Sequence, residues 1–126
     1  MKWDQRELGS LVRADDLHIS VFREDMAKYG TPTFIWCVEL EGDLYVRAYS
    51  GVQSRWYQAA LKQRGGRIIA AGKTIDVRFE PVSGAINDSI DEAYRAKYSR
   101  SRYLAPMISE RSRTATVRIL PEGNAQ

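Results

Sequence analysis

The constraint that most limits this chain is a two-residue alternation of apolar and polar side chains, broken repeatedly by short glycine-containing turns. Ile75, Val77 and Phe79 alternate cleanly with Asp76, Arg78 and Glu80, which is the pattern of a strand with one buried face. Thr33 to Leu40 reads as a strand with Phe34, Trp36, Val38 and Leu40 on one face. Glu41-Gly42-Asp43 turns it back into a strand from Leu44 to Ser50. Arg67 to Ala71 and Thr74 to Glu80 form a second hairpin about Gly72-Lys73. Leu17 to Phe22 and Arg113 to Leu120 supply a first and a last strand. Hairpins join neighbours, and there is no alternation of strands with crossover helices, so a parallel sheet is not expected.

Three helices are expected. Asp4 to Arg13 begins at capping-box spacing, with Asp4 ahead of Glu7, and carries Leu8, Leu11 and Val12 as a stripe. Ser54 to Gln63 is expected to bury Trp56, Ala60 and Leu61 and to stop at Gly65-Gly66. Ala85 to Tyr98 carries Ile86, Ile90, Ala93, Tyr94 and Tyr98 on one side. Arg23 to Pro32 reads as a polar loop, and Glu122 to Gln126 as a frayed tail. The expected architecture is therefore α+β: one domain over residues 1–126, built as a six-stranded antiparallel split barrel with an N-terminal helix within residues 1–16.

At 126 residues one hydrophobic core needs no cross-links. Cys37 is the only cysteine, which excludes an internal disulfide and fits a cytoplasmic protein. No apolar run approaches the roughly 20 residues that span a bilayer. The net charge of +3 excludes a molecule-wide polyelectrolyte, so any basic surface is local.

That local character is concentrated between Leu44 and Ile75. The stretch contains no Asp or Glu but carries Arg47, Arg55, Lys62, Arg64, Arg67 and Lys73, interleaved with Tyr45, Tyr49, Trp56 and Tyr57. Alternation aims Tyr45, Arg47 and Tyr49 from one strand face, with Ser50, Ser54 and Arg55 just beyond, ahead of a helix. A guanidinium fork grips two phosphate oxygens at once, the N–H groups of a helix start favour an anion, and flat aromatics stack on a ring. The set Tyr45, Arg47, Tyr49, Ser50, Ser54, Arg55 and Trp56 is thus a candidate site for a small anionic aromatic cofactor. The same face also fits a solvated strand surface on which Tyr and Arg pair across strands.

Other groups are less committed. Trp36 and Trp56 suit a pocket wall or the core. Tyr94, Tyr98 and Tyr103 suit a dimer interface or plain packing. Arg95 to Arg118 holds seven cations against one acid, Glu110, and reads as a solvated helix end and loop, a nucleic-acid surface, or a grip on the tail of a phosphorylated cofactor. His18 is the only histidine, with no evident acid or nucleophile beside it. Cys37 reads as a packing residue. No metal-binding spacing occurs.

Several segments also resemble a known family. Thr31-Pro32-Thr33-Phe34-Ile35-Trp36, Asp43-Leu44-Tyr45-Val46-Arg47-Ala48-Tyr49 and Arg55-Trp56-Tyr57 are similar to a bacterial family catalogued as a domain of unknown function, number 2255. Asn87-Asp88, Ala93-Tyr94-Arg95-Ala96-Lys97-Tyr98, Tyr103, Pro106-Met107 and Arg113-Thr114-Ala115-Thr116 extend the resemblance. That family resembles, more distantly, the flavin-binding split-barrel superfamily. The resemblance implies a six-stranded barrel, a homodimer, and FMN or a deazaflavin near the subunit interface, with Arg47, Tyr49, Ser50, Ser54 and Arg55 around the phosphate. The Gly-Arg-x-Ser-Gly segment of the deazaflavin enzymes and the Arg-x-x-Leu-Leu-Lys motif of the oxidases are absent.

Three functions follow as expectations. The first is a flavin- or deazaflavin-dependent oxidoreductase, in which the cofactor carries the electrons and no catalytic side chain is required. The second is a non-catalytic dimeric barrel holding a small anion. The third is association with nucleic acid through the C-terminal cations.

Overall fold

The computed structural model describes residues 2–122. The helix α1 (Gln5–Ala14) starts where expected: Asp4 caps it by accepting a hydrogen bond from the Glu7 N–H at 3.0 Å. The strand β1 (His18–Val21) pairs with β2 (Thr33–Phe34), and β3 (Cys37–Leu40) pairs with β4 (Asp43–Arg47). Next come the helix α2 (Arg55–Gln63) and the hairpin of β5 (Gly65–Ala70) with β6 (Lys73–Val82). The chain ends with α3 (Ile86–Tyr98), two short helices α4 (Leu104–Met107) and α5 (Glu110–Arg113), and β7 (Thr116–Pro121).

All strands join one antiparallel sheet in the order β2-β1-β5-β6-β7-β4-β3. Its two edge strands, β2 and β3, are separated in sequence by only Ile35 and Trp36. A flat sheet of this width would hold its edges about 29 Å apart at about 4.8 Å per strand. The link from Phe34 to Cys37 reaches about 11 Å at most. The sheet must therefore curl into a half-barrel, with its open seam between β2 and β3.

That link corrects the strand count: the described residues form seven strands, not six. The strand expected over Thr33 to Leu40 is broken at Ile35-Trp36, which belongs to neither ladder. One half pairs with β1 and the other with β4, because the chain crosses the seam there. At the C-terminal end Arg113 is helical rather than extended, and the last strand begins at Thr116. The tail expected to fray lies outside the described residues apart from Glu122, whose N–H donates to the Asp76 carbonyl.

Both hairpins turn on two residues with positive φ, Glu41-Gly42 and Ala71-Gly72, which matches the right-handed twist of the flanking strands. The Gly65-Gly66 pair does not stop α2. Arg64 takes the left-handed conformation at the helix end, and both glycines belong to β5. A Cβ on Gly66 would stand 2.4 Å from the Ser20 carbonyl oxygen, so this position lets β1 and β5 approach closely.

Two cores result. The enclosed face of the sheet gathers Ile19, Cys37, Leu44, Val46, Phe79 and Ile119, drawn from strands at both ends of the order, and α1 and α2 cover it with Leu8, Leu11, Tyr57 and Ala60. The opposite face of β3 and β4 carries a smaller cluster, in which Val38 and Tyr45 pack against Ile90, Tyr94 and Tyr98 of α3 and Met107 of α4. Each fully buried large aliphatic side chain contributes about 1.5–3 kcal/mol to such a core.

Candidate functional site

Strand alternation does place Tyr45 and Arg47 on the face opposite Leu44 and Val46, as expected. That face is not open to solvent, because α3 and α4 cover it. Tyr45 is buried, and its hydroxyl accepts from Arg118 at 3.1 Å. Arg47 is 0 % exposed and is the largest fully buried side chain.

Burying a guanidinium is costly unless every N–H finds an acceptor, and here each does. Nε donates to Thr116 Oγ1 at 3.0 Å. Nη1 donates to Asp91 Oδ1 at 2.5 Å and to the Met107 carbonyl at 3.1 Å. Nη2 donates to the carbonyl and to the side-chain oxygen of Asn87. The second oxygen of Asp91 accepts from Arg113 at 2.5 Å, and Arg113 also pairs with Asp88. Thr116 Oγ1 lies 2.9 Å from Asn87 Oδ1 and closes the network.

This corrects the expected role of Arg47. All five of its donors are committed within the protein, so it has none left to grip a phosphate. It fastens α3 and α4 to the sheet instead.

Tyr49 lies beyond the end of β4 and is 47 % exposed. It opens onto a cleft of about 440 Å³. Phe34 and Trp36 border the cleft from the β2–β3 crossing. Tyr49 and Ser50 border it from the end of β4, Ser54 and Trp56 from the start of α2, and Tyr103 and Met107 from the α4 region. Arg47 touches the floor of the same cleft. Of the seven expected site residues, Arg47, Tyr49, Ser50, Ser54 and Trp56 are thus brought together. Tyr45 is packed away, and Arg55 borders a neighbouring groove of about 860 Å³ along α2, together with Lys62. Trp56 and Thr33 form the wall that the two cavities share.

Trp56 is half-buried rather than part of the core; Tyr57 and Ala60 take the inward positions on α2, and Leu61 is exposed. The expected inward stripe was therefore offset. Neither the Ser50 nor the Ser54 side chain caps the helical turn that it precedes, so both hydroxyls are available to a ligand.

The C-terminal cations are mostly neutralised by acids from elsewhere in the chain. Lys97 pairs with Asp15 at 3.2 Å, Arg118 with Glu80 at 3.2 Å, Arg113 with Asp88 and Asp91, and Arg95 with Glu92. Among the described residues, Arg100, Arg102 and Arg111 make no ion pair. Arg111 lies over the Tyr49 ring and Arg102 over the Tyr103 ring, each at 5.2 Å from the centroid.

Cys37 is fully buried, and burial pushes its thiol pKa up, which opposes a nucleophilic role. Lys97 donates to its carbonyl at 2.7 Å and Tyr98 donates to Asp15 at 2.6 Å, pinning the end of α3 to β3 and to the end of α1. His18 contacts the Asp16 carbonyl and the edge of Phe34. Among the described residues, no three His, Cys, Asp or Glu side chains gather to hold a metal ion. No described helix is long and apolar enough to cross a membrane.

Phe34, Tyr103 and Met107 were not expected at this site, and Trp36 was expected there only as one of two roles. Each was visible as a residue type, but nothing local showed that the seam crossing and α4 would converge on one cleft.

The fold and cleft define an α+β protein with a curled antiparallel sheet and an aromatic-walled cavity beside its seam. The chain belongs to the family described as "Uncharacterized protein conserved in bacteria (DUF2255)", whose model matches residues 7–119. No curated protein matches the sequence.

Proposed function

We propose that the cleft binds a planar, anionic aromatic cofactor of the flavin or deazaflavin type, and that the protein is an oxidoreductase built on a variant of the flavin-binding split barrel. The observation that carries this reading is the convergence of Phe34, Trp36, Tyr49, Trp56 and Tyr103 around one cavity of about 440 Å³. That size lies within the roughly 300–1,000 Å³ typical of ligand pockets, and flat side chains suit a flat ring. Ser50 and Ser54 supply free hydroxyls, and Arg55 adds positive charge at the start of α2.

The aromatic walls and the two hydroxyls fit such a group, whereas Arg47 offers it no free donor, Tyr45 is packed away and Arg55 borders the neighbouring groove. A flavin would supply the electron-transfer chemistry when bound. The chain would hold and orient it, shield it with aromatic walls, and leave its open side to a substrate. The exposed rings of Phe34, Tyr49 and Tyr103 are where a second copy would close over the cleft in the homodimer that the split-barrel resemblance implies.

The test is direct. The visible spectrum of freshly purified protein is recorded, and FMN and a deazaflavin are then titrated at up to about 100 μM while the melting temperature is followed. A bound chromophore or a ligand-dependent rise in melting temperature supports the reading; neither ligand having any effect ends it.

The full commitment of Arg47 favours a second reading, in which the cleft holds a small planar anion without turnover. Stabilisation by ligand, with no reduction by dithionite or nicotinamide cofactors, would select it.

A further inference from the structure

Any anionic ligand in this cleft needs a cation that is not already spent. Arg47, on the floor, has given all five N–H groups to protein acceptors. Arg55 faces the groove on the far side of Trp56. The remaining candidates, Arg102 and Arg111, do not line the cleft themselves but lie over two rings that do. Tyr49 and Tyr103 both border the cleft, and their rings meet edge to face with centroids 6.4 Å apart. Arg111 covers the first ring and Arg102 the second.

We infer that Arg102 and Arg111, seated on Tyr103 and Tyr49, form the anion clamp of this cleft, so that its ligand is a phosphate monoester rather than a neutral ring compound. This inference rests on the cofactor reading above.

A guanidinium lying over a ring is held by the ring's negative face, while its N–H groups point outward in its own plane. Only one of them is engaged here, where Arg102 Nη2 donates to the Tyr103 hydroxyl at 3.2 Å. Two forks with free in-plane donors match the two or three oxygens that a phosphate monoester presents. No carboxylate competes, since among the described residues neither arginine makes an ion pair. Glu110, beside Arg111 in sequence, is exposed and does not reach it.

The clamp is also built rather than incidental. Gly51 has φ +74°, and a Cβ there would stand 2.6 Å from Arg111 Cγ and 2.9 Å from its carbonyl oxygen. The missing side chain lets the turn after Tyr49 seat directly on Arg111. Ser112, buried next to it, donates to the Tyr49 carbonyl at 3.3 Å. Tyr49 and Arg111 are therefore placed together by two contacts that do not involve the ring–cation pair.

The test uses pairs of probes that differ only in the phosphate: FMN against riboflavin, and 5-deaza-FMN against 5-deazariboflavin. Each is titrated into the full chain and into the double variant Arg102→Gln/Arg111→Gln, with Arg100→Gln as the control for loss of one exposed positive charge. The phosphorylated probe is expected to bind at least about tenfold more tightly than its partner in the wild type and in Arg100→Gln, and with no preference in the double variant. Melting curves without ligand confirm that each variant is folded. Equal binding of both members of a pair by the wild type, or a preference that survives in the double variant, overturns the clamp and leaves the cofactor reading standing. Binding of none of the four probes removes the cofactor reading and the clamp with it.

Discussion

The strand β4 divides its side chains between two buried regions built on opposite principles. Leu44 and Val46 enter a dry apolar core that is closed by the curl of the sheet and by α1 and α2. Tyr45 and Arg47 enter a region where directional polar bonds fasten α3 and α4 to the outer face of the sheet. Apolar packing is non-directional and tolerates small changes of shape. A buried ion network tolerates almost none, because removing one member leaves the others charged or unpaired in a low-dielectric setting. The cleft lies where the second region ends and the seam of the sheet begins. It borders both regions, with Ile35 and Trp56 from the side of the first and Arg47 and Met107 from the second.

The sharpest way to break this contrast is Arg47→Ala. It should destabilise the protein by about 3–5 kcal/mol in denaturant unfolding, since Asp91, Asn87 and the Met107 carbonyl all lose their donor. An effect near zero would show that the network holds nothing.

The two regions can then be compared through near-isosteric changes. Asp91→Asn removes a charge at almost constant volume and should cost about 3 kcal/mol, because the buried Arg47 loses its counter-ion and Arg113 keeps only the exposed Asp88. Ile68→Val, in the apolar core, should cost only about 0.5–1.5 kcal/mol. Equal losses would erase the distinction.

A third test is alkaline pH. Burial raises the phenol pKa values of Tyr94 and Tyr98 above the usual 10.0. The folded protein therefore keeps protons that the unfolded chain releases, so the stability these phenols contribute is intact below about pH 10 and falls as the pH rises further, with the Cys37 thiol beginning to act about one unit lower. For Tyr94 alone the fall reaches up to about 1.4 kcal/mol per pH unit, and Tyr98 and the buried Cys37 thiol act in the same direction. Urea midpoints measured between about pH 8 and pH 11 check this, and Tyr94→Phe should flatten the decline.

The smallest expected effect is that of the same substitution at neutral pH. The Tyr94 hydroxyl is buried with no partner among the described residues, so Tyr94→Phe should leave stability unchanged or raise it by about 1 kcal/mol. A large loss would reveal a bond to this hydroxyl.

Much of the fold was legible along the chain because its cues are local. Asp4 caps α1, glycine turns close both hairpins, and the alternation around Val77 and the stripe of α3 fall where side-chain period puts them. The break at Ile35-Trp36 was not legible, since an uninterrupted apolar run looks the same whether it pairs with one neighbour or crosses between two. Of the residues that type and chain neighbourhood single out, Tyr49, Ser50, Ser54 and Trp56 border the cleft. The burial of Arg47 was not legible either, for a specific reason. Alternation shows which face a side chain takes, but not whether another element later covers that face.

The sequence by itself determined most of the elements, the pairing of both hairpins, and the fact that cations and aromatics are concentrated in two stretches. Tertiary structure decided which of those cations remain free. Asp91 reaches Arg47 across 44 positions and Arg113 across 22, and Glu80 reaches Arg118 across 38. The physical reason is range: dihedral preference and side-chain period act over a few residues, whereas desolvation and ion pairing depend on which distant segments the closed sheet brings into contact.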